Sequence, residues 1–166
     1  MKSKHLLNIG VILFCFLLIP IVCSAEFQKQ FVDKEYGYSI NHPFFWTASI
    51  YRSGDVLANI DSNDGKSGLQ VRIIKSSSSK NSFVSDYINK FNRQMQADLI
   101  SKRQMTIGYS SGYAVSFRAK RRGKDYFLKS YIIPTKSGFY VLQAGTPFNS
   151  KSQVELIFDS MAKSFR

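Results

Sequence analysis

From Tyr38 onward, apolar and polar side chains alternate with a period of two, the mark of strands that bury one face. Tyr38 and Ile40 alternate with Ser39 and Asn41 until Pro43, which has no N–H to give to a ladder, ends the run. Trp46, Ala48 and Ile50 alternate with Thr47, Ser49 and Tyr51. Val56 to Ile60 and Leu69 to Ile74 predict two further strands joined by the polar loop Asp61-Ser62-Asn63-Asp64-Gly65, so that this half is a meander of antiparallel hairpins. Ser76 to Ser79 is a flexible connection, and after it the period changes. Phe83, Val84, Tyr87, Ile88, Phe91 and Met95 recur at three- and four-residue steps, which predicts an amphipathic helix from about Ser82 to Leu99 with Ser82 as its cap. Strands resume over Gln104–Tyr109, Tyr113–Ala119, Asp125–Ile133 and Phe139–Ala144, separated by turn chemistry such as Arg121-Arg122-Gly123-Lys124. A second amphipathic helix, capped by Asn149 or Ser150, places Val154, Ile157, Phe158 and Met161 on one stripe. The sum is an α+β fold, a curved antiparallel sheet flanked by two main helices.

The N-terminal 25 residues follow different rules. Lys2, Lys4 and His5 precede an almost unbroken apolar run from Leu6 to Val22, and Cys23-Ser24-Ala25 ends it with small residues. This pattern predicts a signal peptide cleaved after Ala25, which gives residues 1–25 as leader and 26–166 as one domain. An uncleaved anchor and a lipid-modified Cys23 are the alternatives, although Val22 departs from the small residue usual before a lipidated cysteine. Each places the domain outside the cytoplasm, periplasmic or secreted. Both cysteines, Cys15 and Cys23, fall in the leader, so the domain has no disulfide and relies on packing. The remaining 141 of 166 residues keep 21 Lys and Arg against 11 Asp and Glu, a net charge of +10. Their abundant Phe and Tyr give them enough apolar surface to form one core.

Phe31-x-Asp33 followed by Gly37-Tyr38-Ser39-Ile40-x-x-Pro43-x-x-Trp46 resembles the opening of the PsbP-like family. The closing helix with Ser164-Phe165 and the order of elements between are similar too, over roughly residues 31–165. That family holds the extrinsic oxygen-evolving subunit of photosystem II, many exported bacterial proteins and nuclear Ran-binding relatives. The resemblance implies an αβα sandwich and an accessory role, of which a photosystem-type subunit is one version. It implies no single partner, because the relatives' partners are unrelated. Gly37 would permit a tight turn, Pro43 would stop a strand and Trp46 would fill the sheet face. None of the photosynthetic subunit's metal-binding residues has a local match in this chain.

Catalytic chemistry finds little material. The domain has one histidine, His42, immediately before Pro43, so a Ser-His-acid hydrolase of the envelope would have to use it; a solvent-exposed turn histidine is the plainer expectation. One histidine without cysteine makes a poor zinc site, and the scattered acids single out no carboxylate pair. Asp61 to Gly65 starts like a calcium loop, but its fifth, sixth and twelfth positions hold Gly65, Lys66 and Arg72 where such a loop wants an oxygen ligand, glycine and glutamate. Tyr126, Tyr131 and Tyr140 fall on neighbouring predicted strands, where core packing accounts for them better than a sugar- or base-stacking face. No metal or cofactor is expected, and the chain is read as no enzyme.

One cluster stands out from this background. Arg118, Lys120, Arg121, Arg122 and Lys124 fall within seven residues at the expected tip of a hairpin, with Lys102, Arg103 and Lys129 expected to add to the same field. A solvated turn is the bland explanation. The sharper one is docking to an acidic envelope protein, or to anionic lipid or lipopolysaccharide, and it defines the expected function of an exported, non-catalytic binding domain. Export removes nucleic acid as a natural partner.

Overall fold

In the computed structural model, residues 28–166 are described, and the expected leader, residues 1–25, lies outside them. A two-stranded sheet opens the fold, β1 (Gln28–Asp33) against β2 (Tyr38–Pro43). Its turn is locked by Asp33, whose carboxylate accepts the N–H groups of Glu35 and Tyr36 while its carbonyl accepts the Gly37 N–H at 2.9 Å. Gly37 sits at φ +67°, the left-handed conformation glycine adopts without strain. β1 shows no clean alternation, and half-exposed Val32 is the reason pattern reading passes over it.

The main sheet has seven strands in the order β3 (Thr47–Ser53), β4 (Val56–Asp61), β5 (Gly68–Lys75), β9 (Gly138–Pro147), β8 (Lys124–Pro134), β7 (Ser110–Arg121) and β6 (Ala97–Ile107). Every neighbouring pair is antiparallel. Helix α1 (Lys80–Met95) packs Phe83, Val84, Ile88 and Phe91 on one face, against Val115, Phe117, Ile132, Phe139 and Val141. After a 3₁₀ turn (Phe148–Ser150), helix α2 (Lys151–Ser164) packs Phe158, Met161 and Ala162 on the other face, which also buries the β1–β2 pair. Trp46 forms part of the turn into β3 and meets Phe158 edge-on at 6.1 Å. At the C-terminus Arg166 exchanges backbone hydrogen bonds with Ser39 at 2.9 and 3.0 Å, and Phe165 stacks on Tyr38. Among the described residues, both hydrophobic clusters are built from within 28–166. No described helix is long and apolar enough to cross a membrane.

The fold is the expected α+β sandwich, with local differences. Ser79, not Ser82, caps α1; its hydroxyl accepts the Ser82 N–H at 3.3 Å. The helix stops at Gln96 in a left-handed conformation, and β6 begins at Ala97, seven residues before the expected Gln104. Leu99 continues the helical spacing of Phe91 and Met95, but pairing with Phe117 across the β6–β7 ladder claims it for the sheet. Local periodicity loses here to tertiary pairing. Ile50, expected to face the core with Ala48, is exposed on the edge strand β3.

Candidate functional site

The β7–β8 hairpin forms as the turn chemistry predicts. Arg121 pairs with Lys124, leaving Arg122 and Gly123 as the two loop residues at φ +50° and +76°. Positive φ at both central positions is a type I′ turn, whose twist matches the flanking strands and whose preferred sequence is Asn-Gly or Asp-Gly. All five expected contact residues, Arg118, Lys120, Arg121, Arg122 and Lys124, are exposed. Their roles divide. Arg118 reaches the Asp125 carboxylate at 2.7 Å and lies over the Phe148 ring at 4.7 Å, so it fastens the hairpin to the 3₁₀ turn. That hydrogen bond, aided by the charges of Arg118 and Lys120, holds the Asp125 carboxyl below its ordinary range. Lys120, Arg121, Arg122 and Lys124 form no salt bridge among the described residues. Arg121 and Lys124 even face each other across the ladder, and like charges placed so are destabilising by a few tenths of a kcal/mol, up to about 1.

The expected reinforcement from Lys102, Arg103 and Lys129 does not occur. These residues pair with Val115, Ala114 and Ser116 in mid-strand, well away from the tip. Lys102 lies over the Tyr113 ring at 5.2 Å. Lys129 is only 1% exposed, with its ammonium 2.7 Å from both the Glu155 and Asp159 carboxylates. Asp159 also accepts the Tyr131 hydroxyl at 2.6 Å and pairs with Arg103 at 3.1 Å. Burial alone would raise the Asp159 carboxyl, but hydrogen bonds from Lys129 and Tyr131, with the charges of Lys129 and Arg103, hold it below its ordinary value. Ser116 and Lys129 line a depression of about 410 Å³, which invites a serine–lysine pair. Both carboxylates hold the ammonium in place between β8 and α2, however, and the cluster is a clamp that seats α2 on the sheet.

What the tip does gain is a groove. A depression of about 860 Å³ runs from Lys124, Asp125 and Tyr126 to Gly65 and Lys66 of the β4–β5 loop and to Pro147–Ser150. The sheet register brings these segments together, and spacing along the chain carries no signal for Lys66.

The remaining candidates become structural. His42 is not an exposed turn residue; it lies in β2, 4% exposed, with its Nδ1 hydrogen-bonded to the Pro43 carbonyl at 3.0 Å. Burial lowers its pKa, only partly opposed by that hydrogen bond, and no carboxylate or hydroxyl partners it among the described residues. Asp64 accepts from the Ser62 hydroxyl and the Lys66 N–H, closing the β4–β5 loop on itself. No group of three His, Cys, Asp or Glu side chains among the described residues is arranged to hold a metal ion. Tyr131 and Tyr140 point into the α2-side core, and Tyr126, an odd number of residues from Tyr131, points to the other face.

An antiparallel sheet between two helices, with its own small hairpin and a tryptophan turn, defines an α+β sandwich domain. The PsbP family model matches residues 26–166, and the chain belongs to that family. Three solved structures share the fold. Cyanobacterial PsbP (CyanoP) from Synechocystis superposes with a TM-score of 0.64 at 16% identity, covering 84% of this chain and 91% of that one. LpqN of Mycobacterium tuberculosis, described as involved in cell envelope biogenesis, gives 0.58 at 12% identity with 83% of each chain covered. A Pseudomonas aeruginosa protein of unknown function gives 0.56 at 12% identity, covering 82% and 94%. A comparison with curated proteins found no match. The matched model shows the family, and the three neighbours show its fold.

Proposed function

We propose that the protein is an exported, non-catalytic accessory domain that docks to an acidic surface of the cell envelope through the β7–β8 hairpin. The observation that carries this reading is the set Lys120, Arg121, Arg122 and Lys124. These four exposed cations crowd one two-residue turn, with no salt-bridge partner among the described residues, next to a groove that also holds Lys66, itself paired with Asp64 at 3.5 Å. A solubilising surface intersperses both signs, whereas at this tip the one acid, Asp125, is taken up by Arg118 and an excess of cations focuses a field outward. Export rests on the leader pattern of residues 1–25 and agrees with the envelope role given for LpqN. CyanoP, at 16% identity, supports the fold and not a photosystem partner.

The test is retention of residues 26–166 on two anionic surfaces, polyglutamate-coated beads and phosphatidylglycerol vesicles, between low and high salt. Arg121→Glu/Arg122→Glu should bind on the order of a hundred-fold more weakly to whichever surface retains the parent, since each cation near an anionic surface contributes about 1 kcal/mol. Lys75→Glu/Lys136→Glu, which makes the same charge change at the opposite end of the sheet, should lose far less. Equal losses from the two variants would refute a localised site.

A further inference from the structure

The hairpin tip shares its end of the sheet with features that hairpin docking does not explain. Thr47 pairs with Asp61, Asp61 with Gly68, Gly68 with Gly145 and Tyr126 with Pro147, so the start of β3 and the tip of β7–β8 lie at one end. At the β3 corner of that end the turn after β2 exposes two adjacent phenylalanines, Phe44 at 59% and Phe45 at 58%. The Lys29 ammonium sits 4.1 Å from the centre of the Phe44 ring. A phenylalanine pair held out in water serves neither core nor turn, because Trp46 alone of the three turn aromatics packs inward. Four to five strand spacings separate this pair from the cationic tip, roughly 20 Å.

The route of the chain adds an independent observation. β1 starts at Gln28, which pairs with Pro43, the residue before Phe44. The chain therefore enters the domain at this same end. In sequence, five residues separate the end of the apolar run Leu6–Val22 from Gln28, about 20 Å of extended chain. The Phe44–Phe45 corner and the cationic tip thus lie at the end of the domain where β1 begins, the end nearest in sequence to the expected leader.

We infer that this end of the sheet is a membrane-facing platform whose occupant is an anionic phospholipid bilayer, with Phe44 and Phe45 entering the interface while Arg121, Arg122 and Lys124 contact headgroup phosphates. Cations beside exposed apolar side chains are the combination that holds peripheral domains on anionic bilayers, the charges supplying attraction and the apolar groups a salt-resistant part. An acidic protein face would satisfy the tip but gives no reason for a phenylalanine pair some 20 Å away beside the chain entry. The inference rests on the docking function proposed above and names the surface.

Sedimentation of residues 26–166 with vesicles of phosphatidylglycerol and phosphatidylcholine, beside polyglutamate-coated beads, tests it. Phe44→Ser/Phe45→Ser should bind the vesicles at least about ten-fold more weakly and the beads as well as the parent does, because both side chains are exposed and contribute little to folding. A matching thermal melt confirms that the variant is folded. Unchanged vesicle affinity in this variant would overturn the platform and leave hairpin docking standing. Parental binding to the beads but not to vesicles would overturn it in favour of an acidic protein. Hairpin and phenylalanine variants that both bind like the parent on both surfaces would overturn the platform and the docking function together.

Discussion

Replacing Lys129 with methionine removes one charge from the clamp under α2 and keeps most of the side-chain volume. In the native structure the ammonium is 1% exposed and lies 2.7 Å from a carboxylate oxygen of both Glu155 and Asp159. Removing one partner of a buried ion pair generally costs about 3–5 kcal/mol, because the other charge stays buried without compensation. The lower end applies here. Asp159 keeps Tyr131 and Arg103, and Glu155, 30% exposed with Lys151 3.9 Å away, can turn to water. About 3 kcal/mol in a domain of this size is a drop in melting temperature of roughly 10 °C at pH 7. The pH dependence gives a sharper readout. The native Asp159 carboxyl is held below its unfolded value, so its contribution is present above an unfolded pKa of about 3.9 and is lost as pH falls through the lower folded value. Without Lys129 the main lowering influence is gone and burial pushes the same carboxyl upward, so acid relieves the variant while it weakens the parent. Thermal or urea unfolding of Lys129→Met beside the parent from pH 7 to pH 3.5 should show the gap shrinking steadily. A variant melting within about 2 °C of the parent at pH 7, or a gap independent of pH, would refute the clamp.

Gly108→Ala should destabilise far more than Gly123→Ala, although both glycines have positive φ (+58° and +76°), because a Cβ at 108 runs into the Phe165 carbonyl while one at 123 meets open space. Urea unfolding should give a difference of about 1–3 kcal/mol, and equal effects would mean that the C-terminus does not pack against the β6–β7 turn. For His42, burial lowers the folded pKa, so the unfolded chain binds the proton first and the parent loses stability as pH falls below an unfolded value of about 6.5. His42→Gln should flatten that slope between about pH 7 and pH 5, whatever its effect on absolute stability; an unchanged slope would show that the imidazole titrates as it does in water.

Strands and helices that own a clean period were legible in the sequence, as were the β7–β8 hairpin with its Gly123 and the Gly37 turn; the hairpin's turn type was not. The opening motif led to the right family because its residues do structural work visible in one chain: Asp33 locks a turn, Pro43 ends a strand and Trp46 plugs the α2 side. β1 was not legible because its partner is a six-residue strand and Val32 looks outward. The true start of β6 was hidden because Leu99 satisfies two periods at once. The fate of the charges was the least legible part. Lys129 and Lys124 look alike in sequence, yet an odd step along β8 turns the first into the clamp on the α2 side, and Glu155 and Asp159, one helical turn apart, decide its burial. The Phe44–Phe45 corner and Lys66 join the cationic tip only through sheet register, which no local pattern encodes.

The tip breaks two local rules at once, and that bears on why it is built as it is. Arg122 occupies a left-handed position where Asn, Asp or Gly is preferred, and Arg121 faces Lys124 across the ladder. Places where a sequence works against its own backbone preferences tend to be functional sites. Arg122→Asn restores the preferred turn sequence and removes one cation, so stability and docking should move in opposite directions. Unfolding should become harder by about 0.5–1 kcal/mol, while affinity for anionic vesicles falls about five-fold, the equivalent of one headgroup contact. Urea titration and vesicle sedimentation on the same preparation read both effects. A gain in stability with binding unchanged would mean that the left-handed arginine is incidental. Loss of both would mean that the turn geometry itself depends on Arg122, and the charge argument for the hairpin would then have to stand on Lys120, Arg121 and Lys124 alone.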